Sequence, residues 1–237
     1  LLAPTALTAI EAASEAPALA GTTFTVHNLD PSGAGSLAAA VASAESTPGA
    51  DTIVFDPSLS GTIVTAAAFD LTQSLTIEGD GRITIDGGES HRHFTLGADD
   101  VSLTLRDLTL THGRAANGGS VYSSIGGDLV AENVRFVDNT ATSNFASGGG
   151  AIALVTRLYG AGSNAQLIGC VLTGNRATGG FGSAGAIIVE TVGASVVVER
   201  TTITGNSAQF NDGAGTLNAD SVTVRDSIFS HNSVLYA

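Results

Sequence analysis

Apolar residues recur through the C-terminal half of this chain in columns counted from a repeated anchor, an Asn followed two residues later by a small side chain. The anchors are Asn139, Asn175, Asn206 and Asn232, and Gly113 holds the same place in an earlier segment. Ten positions before the anchor stand Leu103, Leu129, Ala165, Val196 and Val222; eight before, Leu105, Ala131, Leu167, Val198 and Val224; three before, Leu110, Phe136, Leu172, Ile203 and Phe229. Apolar residues two apart, a shift of phase, and then another apolar residue predict short β-strands separated by tight bends, and a helical period does not fit these columns. Upstream, 74–79, 82–88 and 93–96 read as further strands between Gly-rich turns, and 35–45 is the best helix candidate, with Ser36 as its N-cap.

The anchors are 26, 36, 31 and 26 residues apart, so a constant core with insertions of ten and five residues accounts for the spacing. The extra residues are expected in polar, Gly-rich stretches such as Tyr159 to Asn164. A unit this short cannot bury its own apolar face and has to stack on copies of itself. In-register stacking makes parallel sheets with about 4.8 Å between strands, wound right-handed as such connections almost always are. The predicted fold is therefore all-β, a single right-handed parallel β-helix over residues 22–237. A capping helix is expected at about 36–46, an arm or linker over 1–21, and an open C-terminal end. That open end and the start at Leu1 in a chain without methionine lead us to expect a longer parent chain.

The polar columns carry the structural candidates. Asn139, Asn175, Asn206 and Asn232 are expected to form a ladder of stacked amides at a bend, where Asn tolerates left-handed backbone. Gly119, Gly149, Gly185 and Gly215 mark a second, Gly-rich turn in each repeat. Seven positions before the anchor, Arg106 falls over Glu132 and Glu199 over Arg225, pairs that help to set register.

Composition narrows the functional classes. The 237 residues include 9 basic ones, all Arg, against 22 acidic, for a net charge of -13, which excludes a nucleic-acid partner. No stretch approaches the roughly 20 apolar residues of a membrane-spanning helix. Ala18 to Ala20 has the small side chains of a signal cleavage site, but Glu11 and Glu15 interrupt the apolar region it would need, so a plain surface segment is the preferred reading. Cys170, the single cysteine, shares its column with Leu108, Val134, Thr201 and Ser227 and reads as a core filler.

Candidate chemistry is sparse. Asp99 and Asp100 with Asp107, and Asp80 with Asp86, read as turn residues, with adventitious Ca²⁺ binding as the alternative. No metal or other cofactor is expected. His91, Arg92 and His93 read as a loop between strands, and His112 and His231 share a tolerant turn position with Asp138, Gly174 and Gly205. No nucleophile elbow or phosphate-binding loop is present, and aromatic residues, at 5%, are few for sugar stacking.

The segments Phe24 to Asp30, Ser32 to Leu37, Pro48 to Ile63 and Leu75 to Gly79 resemble the N-terminal module of large bacterial surface proteins built from right-handed β-helix repeats. The Gly149 to Ile152 and Phe136 to Asn139 elements resemble the repeats of chlamydial polymorphic outer-membrane proteins. One departure is Ala38, where that module carries a basic residue. The resemblance implies an extracellular or cell-surface bacterial protein serving adhesion or surface structure, with no established chemistry. The expected function is a non-enzymatic scaffold or adhesin that meets cell-surface components or glycans and assembles head to tail into filaments. In that arrangement the arm Leu1 to Leu19 would pack near Phe229 and Leu235 of the next copy. The alternative is a polysaccharide lyase or glycoside hydrolase, since the same fold carries both.

Overall fold

The computed structural model describes residues 19–143, 148–156, 162–178 and 183–235. The arm as far as residue 18, Tyr159 and Tyr236 lie outside the described residues.

Strands are short because left-handed residues interrupt the chain at two fixed places in each repeat. Six positions before the anchor stand Asp107 (φ 50°), Asn133 (55°), Gly169 (66°), Arg200 (48°) and Asp226 (51°). One position before it stand His112 (50°), Asp138 (53°), Gly174 (67°), Gly205 (65°) and His231 (55°). Gly, Asn and Asp adopt this conformation at low cost, hence their frequency in both columns. The sequence pattern puts the left-handed bend on the Asn anchors; in the structure the residue before each anchor takes it, and none of the four anchors has a positive φ. Arg200 is the least suited occupant, and its side chain is 59% exposed. Arg200→Asn is expected to raise stability by about 0.5 kcal/mol, because Asn tolerates the left-handed region better. Denaturant melts of the two proteins check this, and a destabilised variant would count against strain at the bend.

Between the bends, strands of successive coils pair in parallel. One coil runs through Ser102–Thr111, which bends at Asp107 and fills two strand positions, then Arg114–Ala115 and Val121–Ser123. The next runs through Asp128–Glu132, Arg135–Val137, Thr140–Ala141 and Ile152–Val155. The first and second positions belong to one 13-stranded sheet, because the long strands Leu75–Asp86 and Ser102–Thr111 pass through both. Third positions stack as a 5-stranded sheet and fourth positions as a 6-stranded sheet. The result is an all-β solenoid of about seven turns.

The pairing register follows the sequence columns: Leu103 pairs with Leu129, Leu129 with Ala165, Ala165 with Val196, and Val196 with Val222. Leu110, Phe136, Leu172, Ile203 and Phe229 stack in the same way in the second position. Inward residues from Val26 to Ile203 form one buried cluster along the axis. In the last coil the same columns are open, with Val222, Val224 and Phe229 at 42%, 47% and 46% exposure.

Among the described residues one helix, Leu37–Ser46, begins where Ser36 Oγ accepts a hydrogen bond from the Ala39 amide at 3.2 Å. Its buried face, Leu37, Ala40, Val41 and Ala44, joins the core cluster beside strands Thr23–Val26 and Asp51–Phe55. The small alanines permit the close approach. Among the described residues no helix is long and apolar enough to cross a membrane.

The fourth position breaks the alternation of inward apolar and outward polar residues. Ile152–Val155 is buried at every residue, and Ala153, Val155, Ala184 and Ile188 form a separate apolar cluster against which Tyr122 packs. The inserted residues lie to either side of this strand. Val121 to Asp128 is seven residues in a short coil, whereas Ile152 to the equivalent Asn164 is twelve, so half of the ten-residue insertion follows the strand. The other half precedes it, a placement the pattern around Tyr159 does not predict.

Candidate functional site

The four Asn anchors are linked in series. The Asn139 amide N–H and Nδ2 both donate to Asn175 Oδ1, each at 3.0 Å. Asn175 donates likewise to Asn206 Oδ1 (2.9 Å for both bonds), and Asn206 to Asn232 Oδ1 (3.0 and 2.9 Å). The second hydrogen of each Nδ2 goes to a carbonyl three residues before the previous anchor: Leu110, Phe136, Leu172 and Ile203. Asn139, Asn175 and Asn206 are fully buried, and every donor and acceptor of the Asn175 amide is used.

A glycine column runs beside this ladder, and it differs from the one read in the sequence. Strand pairing aligns Val121 with Ile152 and Ile152 with Ile187, which places Gly119, Gly150, Gly185 and Gly213 in register. Gly149 falls one position earlier, bridging to Ala184, and Gly215 two positions later, opposite Ile187. None of the four column members has a positive φ, so turn geometry is not why they are glycine. A Cβ on Gly119 would lie 2.5 Å from Gly150 O, on Gly150 2.0 Å from Gly185 O, and on Gly185 1.9 Å from Gly213 O. The chain turns too tightly there to admit any side chain. Each member of the column lies two residues before one of the paired residues Val121, Ile152, Ile187 and Gly215.

Charged side chains are engaged with neighbouring coils. Arg106 lies between Glu132 (Nε to Oε2, 2.8 Å) and Glu78 (Nη1 to Oε1, 3.4 Å), and these hydrogen bonds, Glu132 above all, hold its guanidinium above the usual arginine value. Glu199, nearly buried, contacts both Arg200 and Arg225. Farther along the same strands, Asn164 Nδ2 and amide donate to Asp128, and Ser195 N donates to Asn164 Oδ1.

The acidic candidates do not act as one group. Asp80 binds Arg82 at 2.9 Å, while Arg82 also donates to the carbonyls of Pro57 and Leu59. Asp86 receives the Gly88 amide and lies 3.1 Å from His112 Nδ1; Asp107 accepts from Asn133 Nδ2. Asp99 and Asp100 are exposed at their turn. Among the described residues no group of three His, Cys, Asp or Glu is placed to hold a metal ion. Glu78, Asp80, Asp107, Arg82 and Arg106 do share one shallow cleft of about 300 Å³, floored by Val54, Phe55 and Pro57.

His91, Arg92 and His93 separate in the structure. Arg92 stacks over the Tyr122 ring at 4.5 Å, and burial lowers its pKa. His93 is fully buried, unlike the loop residue its surroundings in sequence suggest, because it fills space that Gly113 leaves: a Cβ on Gly113 would come within 2.8 Å of the imidazole. Cys170 is buried, donates to Ala131 O at 3.2 Å, and its thiol is pushed up to about 11 by desolvation, which favours the protonated form.

The sequence matches no known family model, and no curated protein matches it.

Proposed function

We propose that this chain is a non-enzymatic scaffold of the bacterial cell surface or extracellular space, a rigid right-handed β-solenoid acting as a spacer or adhesive stalk. The observation that carries the reading is the commitment of its polar side chains to one another across coils. The amide ladder, the Glu78–Arg106–Glu132 and Glu199–Arg225 pairs and the Asp128–Asn164–Ser195 chain spend on stiffness the groups that a catalytic site would hold free. The helix Leu37–Ser46 serves as the cap of the first coils. Head-to-tail association of copies belongs to the same reading.

The second reading is a polysaccharide lyase or glycoside hydrolase using the cleft around Glu78, Asp80 and Asp107. A lyase would need Arg106 or Arg82 as base; Arg106 is held protonated by Glu132, and Arg82 is bound to Asp80 and two carbonyls. A panel of acidic and neutral polysaccharides separates the readings. The scaffold is expected to release neither unsaturated products nor reducing ends while being retained on some immobilised glycans or cell surfaces. Turnover abolished by Asp107→Asn or Glu78→Gln would overturn it. In the same preparation, light scattering is expected to show multimers that disappear when residues 1–20 are deleted.

A further inference from the structure

Three of the five histidines meet at one corner of the early coils. His91 reaches Thr65 Oγ1 through Nε2 (2.8 Å) and Ser90 Oγ through Nδ1 (3.0 Å). His93 lies enclosed, with Ser120 Oγ 3.0 Å from Nδ1 and the Thr111 carbonyl 3.1 Å from Nε2. A carbonyl only accepts, so Nε2 carries the proton of the neutral ring and Nδ1 accepts from the Ser120 hydroxyl.

This corner is where the Asn ladder stops. Gly113 stands in the anchor place, its amide donates to Asn139 Oδ1 at 2.9 Å, and the imidazole occupies the room an anchor side chain would need. Beyond Asn139 the coils are joined by amides, which do not titrate; on the other side they are joined through His93. The backbone bonds around it, from the His93 and Phe94 amides to Ser120 O and from the Phe69 amide to His93 O, link three successive coils.

Burial outweighs what the surroundings of His93 offer a second proton. Asp86, from strand Leu75–Asp86, favours the second proton but also lies against His112 at the end of Ser102–Thr111, and His91, from the same segment as His93, opposes it. Arg92 is turned toward Tyr122, Arg114 is exposed, and the remaining polar surroundings are Ser120 and the Thr111 and Ile85 carbonyls.

We propose that this corner is an acid-labile joint: proton uptake by His93 opens the pairing of residues 86–96 with 111–121, while the coils joined by Asn139, Asn175 and Asn206 stay closed. Burial holds the closed imidazole down to about 4, whereas an opened one titrates near 6.5. The open form therefore gains protons first as pH falls, so closure weakens below about 6.5 and the loss levels off once the closed form also titrates, near 4.

Hydrogen exchange of the full chain, read by mass spectrometry at about pH 7.5 and about pH 5 with intrinsic rates removed, tests this. The opening constant for peptides covering 86–96 and 111–121 is expected to rise roughly 30-fold, and that for 165–208 to stay nearly constant. His93→Gln should abolish the difference, and His91→Gln should leave most of it. Equal loss in all coils, unchanged protection at 86–121, or a full response in His93→Gln would each overturn the proposal. Should His93→Gln fail to fold, imidazole NMR of the unaltered protein decides: His93 titrating near 6.5 in the closed state refutes the joint, and titrating near 4 supports it.

Discussion

Gly185→Ala is expected to lower stability by about 3 kcal/mol or more, a larger effect than a methyl group usually has. The added Cβ would sit 1.9 Å from Gly213 O and 2.8 Å from the Ser207 amide, both backbone atoms of the next coil. A side chain could rotate out of the way; these atoms cannot, because the strands on either side hold the coil spacing. Ile187–Glu190 pairs with Gly215–Asn218, and Ser207–Ala208 with Ser233–Val234. Gly205→Ala is the control: its Cβ would meet nothing closer than 3.7 Å, so only the left-handed backbone cost of about 1 kcal/mol applies. Urea or guanidinium melts of both variants give the comparison. A Gly185→Ala protein within 1 kcal/mol of the parent would show that the corner can relax.

Asn175→Ala should be as damaging, at about 4 kcal/mol, for a different reason. The substitution removes four hydrogen bonds, leaves the Asn139 amide and one hydrogen of Asn139 Nδ2 without partners in a buried setting, and takes from the Phe136 carbonyl the bond it accepts beside its strand pairing. Each orphaned group costs about 1–3 kcal/mol, less what local relaxation and water recover. Asn232→Ala is expected to cost only about 1 kcal/mol, since Asn232 is half-buried in the last coil and water replaces what is lost. Asn175 and Asn206 share a bond, so the double variant should lose less than the two single variants together. Asn175→Ala as mild as Asn232→Ala would mean that the ladder adds little to stability.

Both predictions rest on residues of which the sequence disclosed one set and misread the other. The Asn anchors are visible because they recur at constant offsets from apolar residues that must all face one axis. The glycines are not, because a Gly-rich stretch can be aligned several ways, and only the pairing of Val121 with Ile152 and Ile187 selects Gly150 and Gly213 over Gly149 and Gly215. His93 is hidden for a related reason. In a strand that turns Phe94 and Leu96 inward, alternation would turn His93 outward, and its buried place depends on the missing side chain of Gly113, twenty residues away. Among the acidic residues, the turn assignments of Asp80 and Asp107 follow from local backbone preference, whereas their meeting with Glu78, Arg82 and Arg106 in one cleft follows from stacking.

By itself, the sequence determined that the chain coils into stacked parallel strands, which residues face the axis, where the bends fall, and which charges lie over one another, because each is a periodic property that every coil must satisfy alike. Only the tertiary structure decided which residue of each bend turns left-handed, which glycines the coils press upon, what fills the corner at Gly113, and how the inserted residues divide around Ile152–Val155. These depend on distances between atoms of different coils, which no local preference encodes.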